Sequence, residues 1–413
     1  MEAEIITIGN ELLIGQTIDT NSAWLGNELG LIGITLIRKT SIADKESAII
    51  DAIKEAHSRV KLVIITGGLG PTKDDITKKA LCRYYDCDYR IDESVIKHLE
   101  KIFSSRSREL LESNLSQSNL PSISETLLNE VGTAPGMWFH KNDHCLISLP
   151  GVPTEVYHIT KERVIPKLLQ TFKLPIVLHR TLVTLQKAES LLSAELEEFE
   201  NELPPSISLS YLPSYNMVKL RLTQKVDKKE AVSIDLYYKK LVTTIYDDVF
   251  CLGDKDPASH LAQYFIKNTI RFTSAESCTG GLIAQRLMQE PGISSVYPGS
   301  VVVYSDETKI HELGIPASII ETQGAVSESC ARAMAESVRE KFNADISIAS
   351  TGIAGPSGGS LRKPIGLVFI AISKKNTTVC ESFKMFGTRT QIIQRATNAS
   401  FWMLKKLLAI PID

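Results

Sequence analysis

The chain has 413 residues, 43% hydrophobic and 23% charged, a globular composition that excludes a wholly disordered chain. Its length predicts about two to four domains. With 46 basic and 48 acidic residues the formal charge is −2, so no basic excess supports binding to bulk nucleic acid or to an anionic membrane surface.

The N-terminus, MEAEIITIGN, has no basic stretch. The longest apolar runs are strand-sized, far below the ~20 residues of a membrane span. The seven cysteines form no CxxC pair, which argues against a disulfide framework or zinc ribbon and predicts a reducing, cytoplasmic setting.

In chain order, Glu4–Gly9 reads as a buried strand ending in glycine. Asp19, Thr20 and Asn21 precede Trp24, Leu25 and Leu29, the pattern of a capped helix. Ile34–Ile37 is a second strand. Lys45–Arg59 repeats Ile49, Ala52, Ile53 and Ala56 at helical spacing. Lys61–Thr66 is a third strand and runs into a GGLGP turn. Such alternation predicts a parallel sheet that binds ligands at the carboxyl ends of its strands. Residues 90–128 read as helical and polar. Met137–His140 and Cys145–Leu149 form a hairpin whose turn makes His140 and His144 solvent-exposed rather than metal ligands. Pro153–Phe172 closes the unit as a helix.

A smaller α+β unit follows: strand Thr181–Leu185, helix Glu189–Asn201, strands Ser206–Tyr211 and Val218–Thr223, and helix Lys228–Thr244. From Asp256 a third unit begins. It comprises helix Ser259–Lys267, strand Thr269–Ser274, helix Leu282–Gln289, strand Gly299–Tyr304, helix Ser327–Phe342, strands Ile346–Ala349, Leu367–Ile372 and Thr378–Met385, and helix Gln391–Leu408.

The sharpest chemical signal is Glu276-Ser277-Cys278-Thr279-Gly280-Gly281, a turn between a strand and a helix. Unpaired backbone amides there suit a phosphate or a developing oxyanion. A Ser in such a turn is a plausible nucleophile, against the plain alternative of a helix cap. No histidine after residue 170 sits in a motif-like setting, so a lysine of lowered pKa is the candidate base. Lys309, in Tyr304-Ser305-Asp306-Glu307-Thr308-Lys309, falls on a helical turn near the same sheet edge. A second glycine-rich element, Thr351–Gly359, follows another strand and could wall the pocket.

In the first unit, Thr66-Gly67-Gly68-Leu69-Gly70-Pro71-Thr72 leaves backbone amides free for a phosphate. Asp74 and Asp75 just behind it offer hard oxygens for Mg²⁺, which could hold a diphosphate for cleavage by activated water. Plain helix-start carboxylates are the alternative.

ESCTGG, PGISS, YS-x-x-x-K, GAVS, TGIAGPSGG and KPIG occur in this order and together resemble the CinA C-terminal domain, a family of nicotinamide mononucleotide (NMN) deamidases. The resemblance implies hydrolysis of the NMN carboxamide to nicotinic acid mononucleotide and ammonia, without a cofactor. It implies Ser277 as nucleophile, Lys309 as base and Tyr304 in support. It also implies substrate contacts at Glu276, Cys278, Thr279, Gly280, Gly281, Thr351, Gly352, Ala354, Gly355 and Arg389. The family usually has Asn where Asp306 stands, and often a second Arg where this chain has Ile393, with Arg395 nearby.

The first unit resembles the CinA N-terminal domain, similar in turn to the molybdopterin-binding MoaB/MogA fold, on Gly9–Gly15, Asp19–Ser22, Thr66–Thr77, Gly132–Gly136 and Leu149–Glu155. That implies divalent-metal-dependent hydrolysis of ADP-ribose to AMP and ribose 5-phosphate, with Asp74 and Asp75 at the metal. The implied contacts are Asn10, Glu11, Asp19, Asn21, Thr66, Gly67, Gly68, Gly70, Pro71, Thr72, Asn114, Gln117, Gly132 and Thr133. The expected fold class is α/β in three domains: a MoaB/MogA-like parallel-sheet domain (1–172), a small KH-like α+β domain (173–253) and a C-terminal α/β deamidase domain (254–413). Residues 178–250 contain no glycine, so the GXXG loop that clamps nucleic acid is missing. The family implies a homodimer. The rival reading is a pterin- or nucleotide-binding scaffold tied to competence or DNA repair, with one or both sites inactive.

Overall fold

The computed structural model describes residues 1–70, 76–105, 109–226 and 233–412. Two compact units form, one from Met1–Leu178 with residues 225–226, and a second built from His179–Gln224 and residues 233–412.

The first unit carries strands β1 (Glu2–Ile8), β2 (Thr35–Ile42), β3 (Leu62–Thr66), β4 (Tyr89–Ile91), β5 (Asn119–Pro121), β6 (Glu125–Leu127), β7 (Gly136–Lys141) and β8 (His144–Leu149). Its main sheet has the order β2-β1-β3-β8-β7-β6. The first four strands are parallel, and β7 and β6 join antiparallel. The apolar runs of β1 and β3 are explained by burial on both faces. Ile6, Ile8, Val63 and Ile65 enter one core with Ile49 and Ile53. Their neighbours Ala3, Ile5, Leu62 and Ile64 enter the opposite core with Leu25 and Leu29.

Residues 90–128 correct the sequence reading. α-Helix covers only Glu93–Ser105 and Glu112–Leu115 of the described residues, a 3-10 turn follows at Ser116–Ser118, and the rest includes β5 and β6. Three-residue strands are too short to display alternation, so the polar pattern masked them. The Met137–Leu149 hairpin forms as expected, with Asn142 and Asp143 in left-handed conformation at its turn. His140 is exposed, but His144 is half-buried, its ring 4.8 Å from that of His57.

The second unit holds β9 (Ile176–Leu185), β10 (Ile207–Ser214), β11 (Met217–Val226) and β12 (Val249–Leu252) in a sheet ordered β10-β11-β9-β12. It also holds β13 (Phe272–Glu276), β14 (Gly299–Val302), β15 (Ile346–Gly352), β16 (Leu367–Lys374) and β17 (Thr377–Lys384), ordered β14-β13-β15-β16-β17. Strands β14, β13 and β15 are parallel, while β16 is antiparallel to both β15 and β17. Hence β13, β14, β15 and β17 all end at one edge, and the segments that follow them meet there. One sheet face packs on helices Pro257–Asn268, Leu282–Leu287 and Arg389–Leu408, in a core that continues to Val183, Leu185 and Phe250. The other face packs on helix Glu328–Lys341 through Met334, Ala335 and Val338.

Candidate active site

Ser277 lies immediately past β13, between extensions of the two neighbouring strands. Its amide donates to Ser350 O of β15 at 3.0 Å, and Val303 N donates to Glu276 O at 2.8 Å. The helix that follows starts at Leu282 with Gly281 at its cap, so Ser277 does not cap it. Gly280 and Gly281 turn the chain at φ +63° and +96°, conformations that favour glycine.

Glu276 explains the rigidity of this turn. Fully buried, it accepts from Gly281 N (2.9 Å), Ile283 N (3.1 Å), Ala284 N (2.8 Å) and the Thr279 hydroxyl (2.8 Å). The first-turn amides expected to hold a ligand anion therefore hold the protein's own carboxylate, which places Glu276 beneath the turn rather than at its surface. Thr279 Oγ1 also lies 2.6 Å from Ser350 Oγ. Cys278 is buried, which pushes its thiol up to about 12, far from a reactive thiolate. Ala354 packs into the core.

Tyr304, Lys309 and Arg389 converge on the same edge. Lys309 sits on helix Asp306–Leu313 and is 1% exposed. Its Nζ donates to Tyr304 O at 3.0 Å and Ser305 O at 3.5 Å. Burial lowers its pKa from the usual lysine value, opposed by the nearby Cys330, Asp306 and Cys278. Arg389, at the start of the last helix, donates Nη2 to Tyr304 Oη at 2.5 Å and Nη1 to Gly355 O at 2.8 Å. Thr351 Oγ1 donates to Ala325 O at 2.8 Å, fixing the end of β15 to the GAVS segment. At Gly352 a Cβ would come within 2.8 Å of Leu367 O, so only glycine fits there. Sequence reasoning missed Ser350, whose only signal is a small polar residue inside an apolar strand.

In the first unit, a cavity of about 100 Å³ at the carboxyl ends of β1 and β3 gathers Glu11, Asp19, Asn21, Thr66 and Gly67. The Asp19 carboxylate accepts from Ser22 N at 2.9 Å, the expected helix cap. Asn21 Nδ2 donates to Gly151 O at 2.8 Å, while its buried Oδ1 has no donor among the described residues. That vacant acceptor suits a ligand O–H or N–H. Gly68 closes on Thr77, whose hydroxyl would lie 2.3 Å from an added Cβ. Asn10 is exposed and its amide donates to Asp44 Oδ2 at 3.0 Å.

The remaining expected contacts lie apart from this cavity lining. Asn114 accepts from Leu111 N at 3.2 Å, and buried Gln117 accepts from Lys78 Nζ at 3.1 Å. Gly132 N is held by Asn129 Oδ1 at 3.0 Å, with half-buried Thr133 next to it. Gly70 is half-buried. Pro71, Thr72, Asp74 and Asp75 lie outside the described residues. Among the described residues, no group of three or more His, Cys, Asp or Glu side chains is arranged to hold a metal.

Comparison with known proteins matches these two regions. A family profile described as the CinA C-terminal domain matches residues 254–408, and one described as a probable molybdopterin binding domain matches residues 4–170. A CinA-like protein of Cytophaga hutchinsonii is 39% identical over 408 residues, 98% of each chain. A putative competence-damage inducible protein of Clostridium beijerinckii is 36% identical over 411 residues, 99% of this chain and 100% of the relative. The crystal structure of the protein CinA with unknown function from Thermoplasma acidophilum is 35% identical, covering 40% of this chain and 96% of that one at a TM-score of 0.37.

Proposed function

This chain belongs to the CinA family, and we propose that its second unit deamidates NMN through an ester on Ser277. The observation that carries the reading is Lys309: a buried lysine of lowered pKa, at the edge where the Ser277 turn emerges. Neutral Lys309 takes the Ser277 proton as Oγ attacks the carboxamide carbon. Collapse of the tetrahedral species expels ammonia, carrying that proton, and leaves the acyl ester. Water, deprotonated by Lys309, then releases nicotinic acid mononucleotide and restores Ser277. In the free chain Nζ rests on the Tyr304 and Ser305 carbonyls, so engaging Ser277 requires it to turn from them. Tyr304, held by Arg389, borders the site. The chemistry calls on no cofactor.

The pH–rate profile tests this. Ammonia release from NMN rises with pH through the lowered pKa of Lys309, because only the neutral amine accepts a proton. Lys309→Arg stays charged at every working pH and loses about 100-fold or more. A profile and rate indifferent to that substitution overturn the reading.

For the first unit we propose hydrolysis of ADP-ribose to AMP and ribose 5-phosphate. The polar cavity at Asn21 and Gly67, at the carboxyl ends of β1 and β3, and the match to a probable molybdopterin binding domain support ligand binding at this edge. Asp74 and Asp75 are the proposed holders of a divalent metal such as Mg²⁺, which would supply charge neutralisation to the diphosphate. AMP release that survives a chelator contradicts the metal requirement. The family and the cysteine usage support a cytoplasmic homodimer working on small nucleotides. No described helix is long and apolar enough to cross a membrane.

A further inference from the structure

The end of helix Thr77–Tyr85 brings two thiols together. Asp86 leaves the helix in left-handed conformation, φ +52°, and Cys87 N then donates back to Cys82 O at 3.0 Å. In such a Schellman closure the residue two past the cap folds over the residue one turn inside the helix, and their side chains commonly touch. The usual occupants are apolar. Here both positions carry cysteine, and the Cys87 thiol lies within hydrogen-bond reach of the Cys82 thiol.

The two thiols differ in access. Cys82 is buried and Cys87 half-buried. Burial, and then the neighbouring Cys87, push the Cys82 thiol up to about 12, so it does not open an exchange with an outside sulfur by itself. Cys87 is the sulfur that solvent reaches. Among the other cysteines, Cys145, Cys251, Cys278 and Cys330 are buried, and burial pushes the half-buried Cys380 up to about 12. A disulfide needs Cα atoms within about 7 Å and side chains that face each other. The backbone closure supplies the first condition and the thiol contact the second.

We propose that Cys82 and Cys87 are a reversible dithiol–disulfide site, oxidised by low-molecular-weight disulfides such as oxidised glutathione. Cys87, as the thiolate, attacks one sulfur of the oxidant. That S–S bond breaks, a mixed disulfide forms on Cys87, and one glutathione leaves as a thiolate. Cys82 gives up its proton and attacks the Cys87 sulfur, which expels the second glutathione. The two departing thiolates take up the two protons lost by the cysteines. Two protein thiols are thus oxidised to one disulfide, and one disulfide is reduced to two thiols. The loop so closed is short, so little chain entropy favours the bond and a dithiol can reopen it. Such a site answers to the thiol redox state around the chain rather than holding the fold together. It uses no residue of either proposed active site.

The test equilibrates the full chain in buffers of graded reduced and oxidised glutathione, quenches in acid, counts free thiols and locates the cross-link by peptide mass. The free-thiol count falls from seven to five as the buffer becomes oxidising, the lost pair maps to Cys82 and Cys87, and dithiothreitol restores it. Cys87→Ser, at the more exposed position, loses no thiols in the same buffers. Cys82→Ser leaves Cys87 carrying one glutathione as a mixed disulfide, which marks Cys87 as the attacking sulfur. Seven thiols retained by the native chain in the most oxidising buffer overturn the proposal. So does a cross-link between other cysteines, or a mixed disulfide that persists on Cys87 with Cys82 present.

Discussion

The Glu276 carboxylate accepts the Thr279 hydroxyl at 2.8 Å, and with it closes the turn that carries Ser277. Glu276→Gln keeps the shape but turns one acceptor into a donor against backbone amides that also donate. We predict a loss of about 2–3 kcal/mol in urea unfolding, because buried amides lose their partner. Ammonia release falls with it. An unchanged midpoint contradicts the role assigned to Glu276.

Tyr304 and Arg389 come from the ends of different elements and meet through one hydrogen bond. If Arg389 acts by holding Tyr304, Tyr304→Phe and Arg389→Ala are non-additive in kcat/KM. A double-mutant cycle then gives a coupling of about 0.5–2 kcal/mol. Additive losses show that the two act independently.

His57 carries a pH signature for the first unit. Burial, and then the facing His144, lower its pKa to about 4. The unfolded chain protonates this histidine near its ordinary value of ~6.5, while the folded chain keeps it neutral. Unfolding therefore takes up a proton between those limits. Stability falls as pH drops from about 6.5 toward 4 and the contribution levels off below. His57→Gln flattens this part of the melting-temperature profile. An equally steep profile in the variant places the pH dependence elsewhere.

Gly67 has φ +113°, and a Cβ there would lie 2.2 Å from Ile8 O. Gly67→Ala forces β1 and β3 apart at the mouth of the cavity. We predict a loss of at least ~2 kcal/mol from the first unit, read by hydrogen exchange in β1 and β3. Native exchange rates contradict this.

Much of this architecture was legible in the sequence where one physical pattern dominated. Strands β1 and β3 are buried on both faces and announce themselves by apolar residues at consecutive positions, Ile5–Ile6 and Leu62–Ile65. The Asp19 cap and the Asn142–Asp143 turn follow from local backbone preference. The placement of Ser277, Tyr304 and Lys309 at one edge follows from parallel strand order, which motif spacing reflects. Other features depend on contacts between distant residues. Among the described residues, three-residue β4 and β5 pair only with each other and leave no periodicity. Glu276 looks like a ligand contact in sequence, because nothing local shows that its carboxylate turns inward.

The most direct measurement of the central claim is ammonia release from NMN by the full chain in the presence of a chelator, beside Ser277→Ala. The account predicts steady release by the native chain and about 1,000-fold less or none from the variant, with native thermal stability in both. Equal release from the variant, or none from the native chain, contradicts it.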